Sequence, residues 1–106
     1  MKPSCDFDIA QVLQDAEKLV ATITESNRII KLAEDYDLIF TRIRQAAENL
    51  LMTEDQFNQA GTIVKQILRF KIDGRITLSN LQEKIIRDTL AKIQLNRTRL
   101  NKVLIN

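Results

Sequence analysis

Punctuation is what this chain most lacks. Two glycines and one proline stand in 106 residues, against an average usage of about 7% and 5%. A β-rich domain needs a turn roughly every 8–12 residues, and each turn draws on glycine, proline, asparagine or aspartate. This chain cannot supply them, so its apolar residues (44% of the total) must be organised by helices. The length suits one domain spanning 1–106.

Four apolar stripes recur at helical spacing. Ile9, Val12, Leu13, Ala16, Leu19, Val20 and Ile23 form the first, with Asp6 and Asp8 placed where a helix dipole favours negative charge. Ser26-Asn27 interrupts. A second stripe runs from Ile29 through Leu32, Tyr36, Phe40, Ile43 and Ala47 to Leu51. Its Asp35-Tyr36-Asp37 stretch is poor helix sequence, so the first break falls either at Ser26-Asn27 or there. Thr53 and Gln56 have capping-box spacing, and Phe57, Ala60, Ile63, Val64, Ile67, Leu68 and Phe70 follow. Gly61 within that stripe suggests a close helix–helix approach. Asp73-Gly74 ends it with the residue that best tolerates a left-handed C-cap. Ser79 and Gln82 form a second capping box ahead of Leu81, Ile85, Ile86, Thr89, Leu90, Ile93, Leu100, Val103 and Leu104. The spacing predicts helices over about 6–25, 27–51, 54–73 and 79–104. None is stable alone with a single apolar face. The expected fold is therefore all-α, an antiparallel up-down-up-down four-helix bundle, with Phe40, Phe57, Phe70 and Tyr36 in its core.

Composition also removes most chemistry. There is no histidine, hence no imidazole base or ligand. The single cysteine, Cys5, has neither a disulfide partner nor an activating base. Neighbouring carboxylates such as Asp35 and Asp37, or Glu54 and Asp55, point in different directions on a helix and suit caps or surface. No glycine-rich phosphate loop or metal-ligand cluster is present. The expectation is a protein without catalysis, metal or cofactor. Apolar runs reach only three residues, as in Leu38-Ile39-Phe40, where a membrane span needs about 20. Without a secretory signal, the expected location is the cytoplasm, in part at the inner face of the membrane.

Charge is uneven. Met1–Gly74 holds 9 basic and 12 acidic residues, a net of −3, while Arg75–Asn106 holds 7 basic and 2 acidic, a net of +5. Arg75, Arg87, Lys92, Arg97, Arg99 and Lys102 are the candidate partner-binding cations. A solvated helix face and a surface attracted to anionic head groups or to a membrane protein both fit this pattern. A nucleic-acid footprint fits less well, because the overall charge is only +2 and no helix-turn-helix or aromatic–basic platform appears.

The stretch Ile63 to Gln82, IVKQILRFKIDGRITLSNLQ, resembles the corresponding helical hairpin of pediocin-like (class IIa) bacteriocin immunity proteins. Asp73, Gly74, Ile76, Thr77, Leu78, Ser79 and Gln82 match that pattern, and Leu81 stands in place of the usual aromatic. The resemblance is detailed over these 20 residues, and the rest of the chain agrees only in pattern. It implies a cytosolic four-helix bundle that protects a cell from a membrane-active peptide. The implied mode is association with the peptide-bound membrane components of the mannose phosphotransferase system, with peptide specificity in the C-terminal half. The chain departs from many members after its fourth helix. It continues as Arg97 to Asn106 rather than as an extended tail containing glycine, aspartate and tyrosine. Two other readings compete on the residues alone: a helical chaperone or adaptor for a protein client, and a small nucleic-acid-binding regulator.

Overall fold

The computed structural model describes residues 7–105, with side chains to 102; Cys5 and Asp6, and the side chains of Val103 and Leu104, lie outside the described residues. It is an all-α four-helix bundle, a rod of 47 × 25 × 24 Å. Helices α1 (Ile9–Glu25), α2 (Asp37–Glu48), α3 (Glu54–Ile72) and α4 (Asn80–Ile105) enclose one core. Phe40, Phe57, Ile43, Ile67, Ile86 and Val64 are all but fully buried in it. Asp8, placed in the first turn by the sequence, is instead the N-cap of α1, accepting a hydrogen bond from the Ala10 amide at 3.0 Å.

Helix α1 packs on α2 and α3, and α4 packs on the same two, so the order around the bundle is α1, α2, α4, α3. Long-range bonds give the directions of the lateral pairs. Gln59 near the start of α3 reaches Glu17 of α1 at 2.8 Å, and Arg75 just past α3 reaches the last carbonyls of α1. Those two helices therefore run in the same sense. So do α2 and α4, because Gln82 bonds the Ala33 carbonyl and Thr89 bonds that of Phe40, an equal step of seven residues on both chains.

The second helix is shorter than the expected 27–51. Ser26, a candidate N-cap for the second helix on sequence, is instead the C-cap of α1, and residues 28–36 are not α-helical. Ile30–Lys31 forms a short strand, β1, paired in parallel with Ile76–Thr77, β2. A single 3-10 turn, Glu34–Tyr36, then leads into α2. Physically, the backbone of this segment has better partners across the bundle than along its own chain. Ile30 N–H donates to the Arg75 carbonyl, Leu32 N–H donates to that of Thr77, and the carbonyls of Leu32 and Ala33 accept from the Gln82 amide. Burial follows the strand: Ile30 and Leu32 turn inward while Ile29 and Lys31 turn out.

Both α2 and α3 end in the same left-handed motif. Gly74 (φ 74°) closes α3, with its own N–H on the Lys71 carbonyl and the Arg75 N–H on that of Phe70. At the end of α2 the equivalent position is Leu50 (φ 53°), with its N–H on the Ala47 carbonyl and the Leu51 N–H on that of Ala46. A leucine there carries about 1–2 kcal/mol of backbone strain, offset by packing its half-buried side chain against the core.

On α4 the inward seam alternates polar and apolar residues. Gln82, Thr89 and Asn96, all buried, are spaced by seven, with Ile86, Ile93 and Leu100 between them. Thr89, placed on the apolar stripe by sequence, uses its hydroxyl on the carbonyls of Ile85 (2.7 Å) and Phe40 (3.2 Å). Gly61 of α3 faces this seam. A methyl added to it would meet Ile93 Cγ2 at 3.7 Å, an ordinary contact. Gly61→Ala should therefore keep the packing and gain helix propensity, about 0.5–1 kcal/mol, raising the melting temperature by roughly 3–6 °C in a thermal scan followed by circular dichroism.

Candidate functional site

The junction that carries the family resemblance is built from its backbone outward. Asp73 caps α3 and pairs with Arg69 at 3.5 Å. Gly74 reverses the chain, and β2 ties it to the α1–α2 connection. Ser79 then opens α4: its hydroxyl accepts from Gln82 N–H at 3.1 Å, and its own N–H donates to Gln82 Oε1 at 2.9 Å. The other end of Gln82 is spent inside the molecule, where Nε2 donates to the carbonyls of Leu32 (2.9 Å) and Ala33 (3.3 Å). A comparable capping box, between Thr53 and Gln56, opens α3. Of the motif residues, Asp73, Gly74, Thr77 and Ser79 reach solvent and Gln82 does not.

The six candidate cations do not form one surface. Arg75 is turned inward: Nη2 lies 3.1 Å from each of the carbonyls of Ile23, Thr24 and Ser26, and the guanidinium sits 5.5 Å from the Phe70 ring centroid. Helix α1 has no basic residue in its last turn, so Arg75 supplies the cation favoured at that negative end of the helix dipole. It is a structural clamp and is not available to a partner. Arg87 lies 3.3 Å from Glu83, which also holds Lys71 at 2.9 Å across to α3. The hydrogen bonds from Lys71 and then Arg87 keep the Glu83 carboxyl below its ordinary range. At about 100° per residue, Arg97 falls well over a third of a turn from Lys92 and Arg99, on the flank that α4 turns towards α3.

Lys92, Arg99 and Lys102 share the opposite edge. Spacing adds Lys84, which sequence reasoning did not single out although its offsets from Lys92 and Arg99 (8 and 15) are helical repeats. None of these four takes part in an ion pair among the described residues; Arg99 makes one hydrogen bond, 3.3 Å, to Asn96 Oδ1. Asp88, the one acid on this edge, is held by Arg44 of α2 at 3.0 Å. Leu81, expected in the core stripe, instead stands on the edge with 63% of its surface exposed, and Leu95 joins it at 56%. The core-facing seam of α4 is already filled there by Gln82 and Ile86.

This edge offers point charges and apolar side chains. Among the described residues no cluster of histidine, cysteine or acidic side chains could hold a metal ion, and no helix is long and apolar enough to cross a membrane. Comparison with protein-family models, curated proteins and solved structures finds no match to this chain.

Proposed function

We propose that this protein is a bacteriocin immunity factor, a binding module that guards its cell against a class IIa peptide by associating with the peptide-bound mannose phosphotransferase receptor at the inner face of the membrane. The observation that carries the reading is the Asp73–Gln82 junction. Its residues match the family hairpin, and they form one connected unit, from the Gly74 reversal to the Gln82 clamp, within a four-helix bundle. The unpaired cations beyond it, in the C-terminal half, suit a partner at a negatively charged membrane face.

Expression in a cell sensitive to class IIa peptides tests this directly. Survival against at least one such peptide is expected, and equal killing by every peptide of the class would overturn the reading. Replacing Arg97, Arg99 and Lys102 together by glutamine should change stability by less than about 0.5 kcal/mol, because the three side chains are exposed and the one bond lost, from Arg99 to Asn96 Oδ1 at 3.3 Å, is long. Protection should nevertheless fall. Full protection by the stably expressed variant would move the recognition surface to the Asp73–Ser79 turn. An adaptor for a protein client is the second reading, favoured by Ile29 and Ile72. Both are 70% exposed at the end of the bundle where the strands pair.

A further inference from the structure

The edge of α4 running from Leu81 to Lys102 has a composition and a shape that together select a partner. Its outward residues are Leu81, Lys84, Lys92, Leu95, Arg99 and Lys102, all within about a quarter of the helix circumference and spread over about 32 Å. From Lys92 onward no acid occurs on α4. On the neighbouring helix, Arg44 holds Asp88 at 3.0 Å and Glu48 at 3.6 Å, so the two acids nearest the edge are both engaged. The four edge cations have no such partner among the described residues. Leu81 precedes them and Leu95 sits among them, four helical turns further on.

A peptide helix docks by placing several anchors at i, i+3, i+4 and i+7 into an apolar groove. Here the exposed leucines are two and widely separated, and the open hollow beside Leu81 is walled by the charged Arg44, Lys84 and Asp88. A line of cations about 32 Å long with so few apolar anchors matches a charged plane. Lysine and arginine stems lie along the surface while their heads reach phosphate, and leucines between them enter the head-group boundary. We infer that this edge is a docking face for an anionic lipid bilayer, with α4 lying along the membrane plane. The inference stands apart from immunity, because it needs neither a bacteriocin nor a receptor.

The test uses the full chain and vesicles that contain no protein. Co-sedimentation is compared between vesicles of phosphatidylcholine alone and vesicles that also contain phosphatidylglycerol. Binding is expected only to the anionic vesicles and should weaken steeply with added salt, which shortens the range of these charges. Each basic residue close to such a surface strengthens partitioning about fivefold, so the variant Lys84→Gln/Lys92→Gln/Arg99→Gln/Lys102→Gln should bind roughly several hundredfold more weakly. A charge-matched control, Lys18→Gln/Arg28→Gln/Lys31→Gln/Lys65→Gln, removes four exposed cations elsewhere and should lose less than about a tenth as much affinity. Equal losses in the two variants would mean that net charge alone is at work, and would overturn the inference. So would wild-type protein that ignores anionic vesicles while binding an acidic polypeptide such as polyglutamate. The comparison of vesicles and the salt series depend on no substitution, so they decide the matter even if a variant misfolds.

Discussion

Gln82→Leu is expected to melt roughly 10–20 °C below the parent, a loss of about 2–4 kcal/mol, although the two side chains are similar in size. Gln82 is 3% exposed and makes three side-chain bonds that leucine cannot replace. It accepts from Ser79 N–H, completing the cap of α4, and donates to the carbonyls of Leu32 and Ala33. Loss of the cap alone costs about 1 kcal/mol. The larger share comes from leaving the buried carbonyl of Leu32 without the Gln82 donor. Gln82→Glu separates the two roles. The introduced carboxylate still accepts from Ser79 and suits a helix N-terminus, but it faces two carbonyl oxygens with no hydrogen to offer. It should be as costly as leucine at neutral pH. Burial and those oxygens raise the folded-state pKa of the introduced carboxyl above its unfolded value. The protonated form, able to donate to Leu32, is therefore favoured at acid pH, and the deficit should grow as pH rises through the folded pKa. A Gln82→Glu variant as stable as the parent at neutral pH would show that only the capping box matters.

Gln82 also marks where the sequence is legible and where it is not. Its spacing from Ser79 is local, and so the capping box could be read from four residues, like that of Thr53 and Gln56. The same holds for the left-handed Gly74, since only the chain end of a helix and a residue without Cβ are involved. The amide nitrogen of Gln82, by contrast, reaches carbonyls some fifty positions away. Nothing in the neighbourhood of Leu32 announces that its carbonyl is taken, so the stripe from Ile29 reads as helix when it forms a strand and a turn. The alternation of Ile30 and Leu32 with Ile29 and Lys31 was the one local trace of that strand. On α4 the helical period was correct, but period alone cannot say which flank of a stripe is covered. Leu81 and Lys84 are surface, while Thr89 and Asn96 are core, because of where α2 lies. Leu50 is the converse case. A leucine gives no sign of a left-handed conformation, and only the pattern of bonds to Ala46 and Ala47 reveals it.

Arg75→Met should cost about 2–3 kcal/mol, or roughly 10–15 °C in melting temperature, for a residue whose sequence context suggests free surface charge. The substitution keeps the length and apolar stem of the side chain, and so isolates the guanidinium. What is lost is the charge-assisted contact of Nη2, whose two hydrogens are shared among three carbonyls at the end of α1, a stack on Phe70, and a cation placed at that helix terminus. Main-chain bonds of Arg75, to Phe70 through its N–H and from Ile30 through its carbonyl, survive in any variant, so the β1–β2 pairing should persist and the effect should remain a side-chain one. Arg75→Lys should recover less than half of the loss. Lysine carries the charge but is a shorter side chain and lacks the planar guanidinium that lies over Phe70. The comparison also decides how Arg75 bears on protection of a sensitive cell. A clamp acts through folding, so raising the stability of Arg75→Met by adding Gly61→Ala should restore protection in step with the melting temperature. If protection stayed lost while stability returned, Arg75 would have to leave its three carbonyls when the partner binds. The end of α1 would then open on recognition.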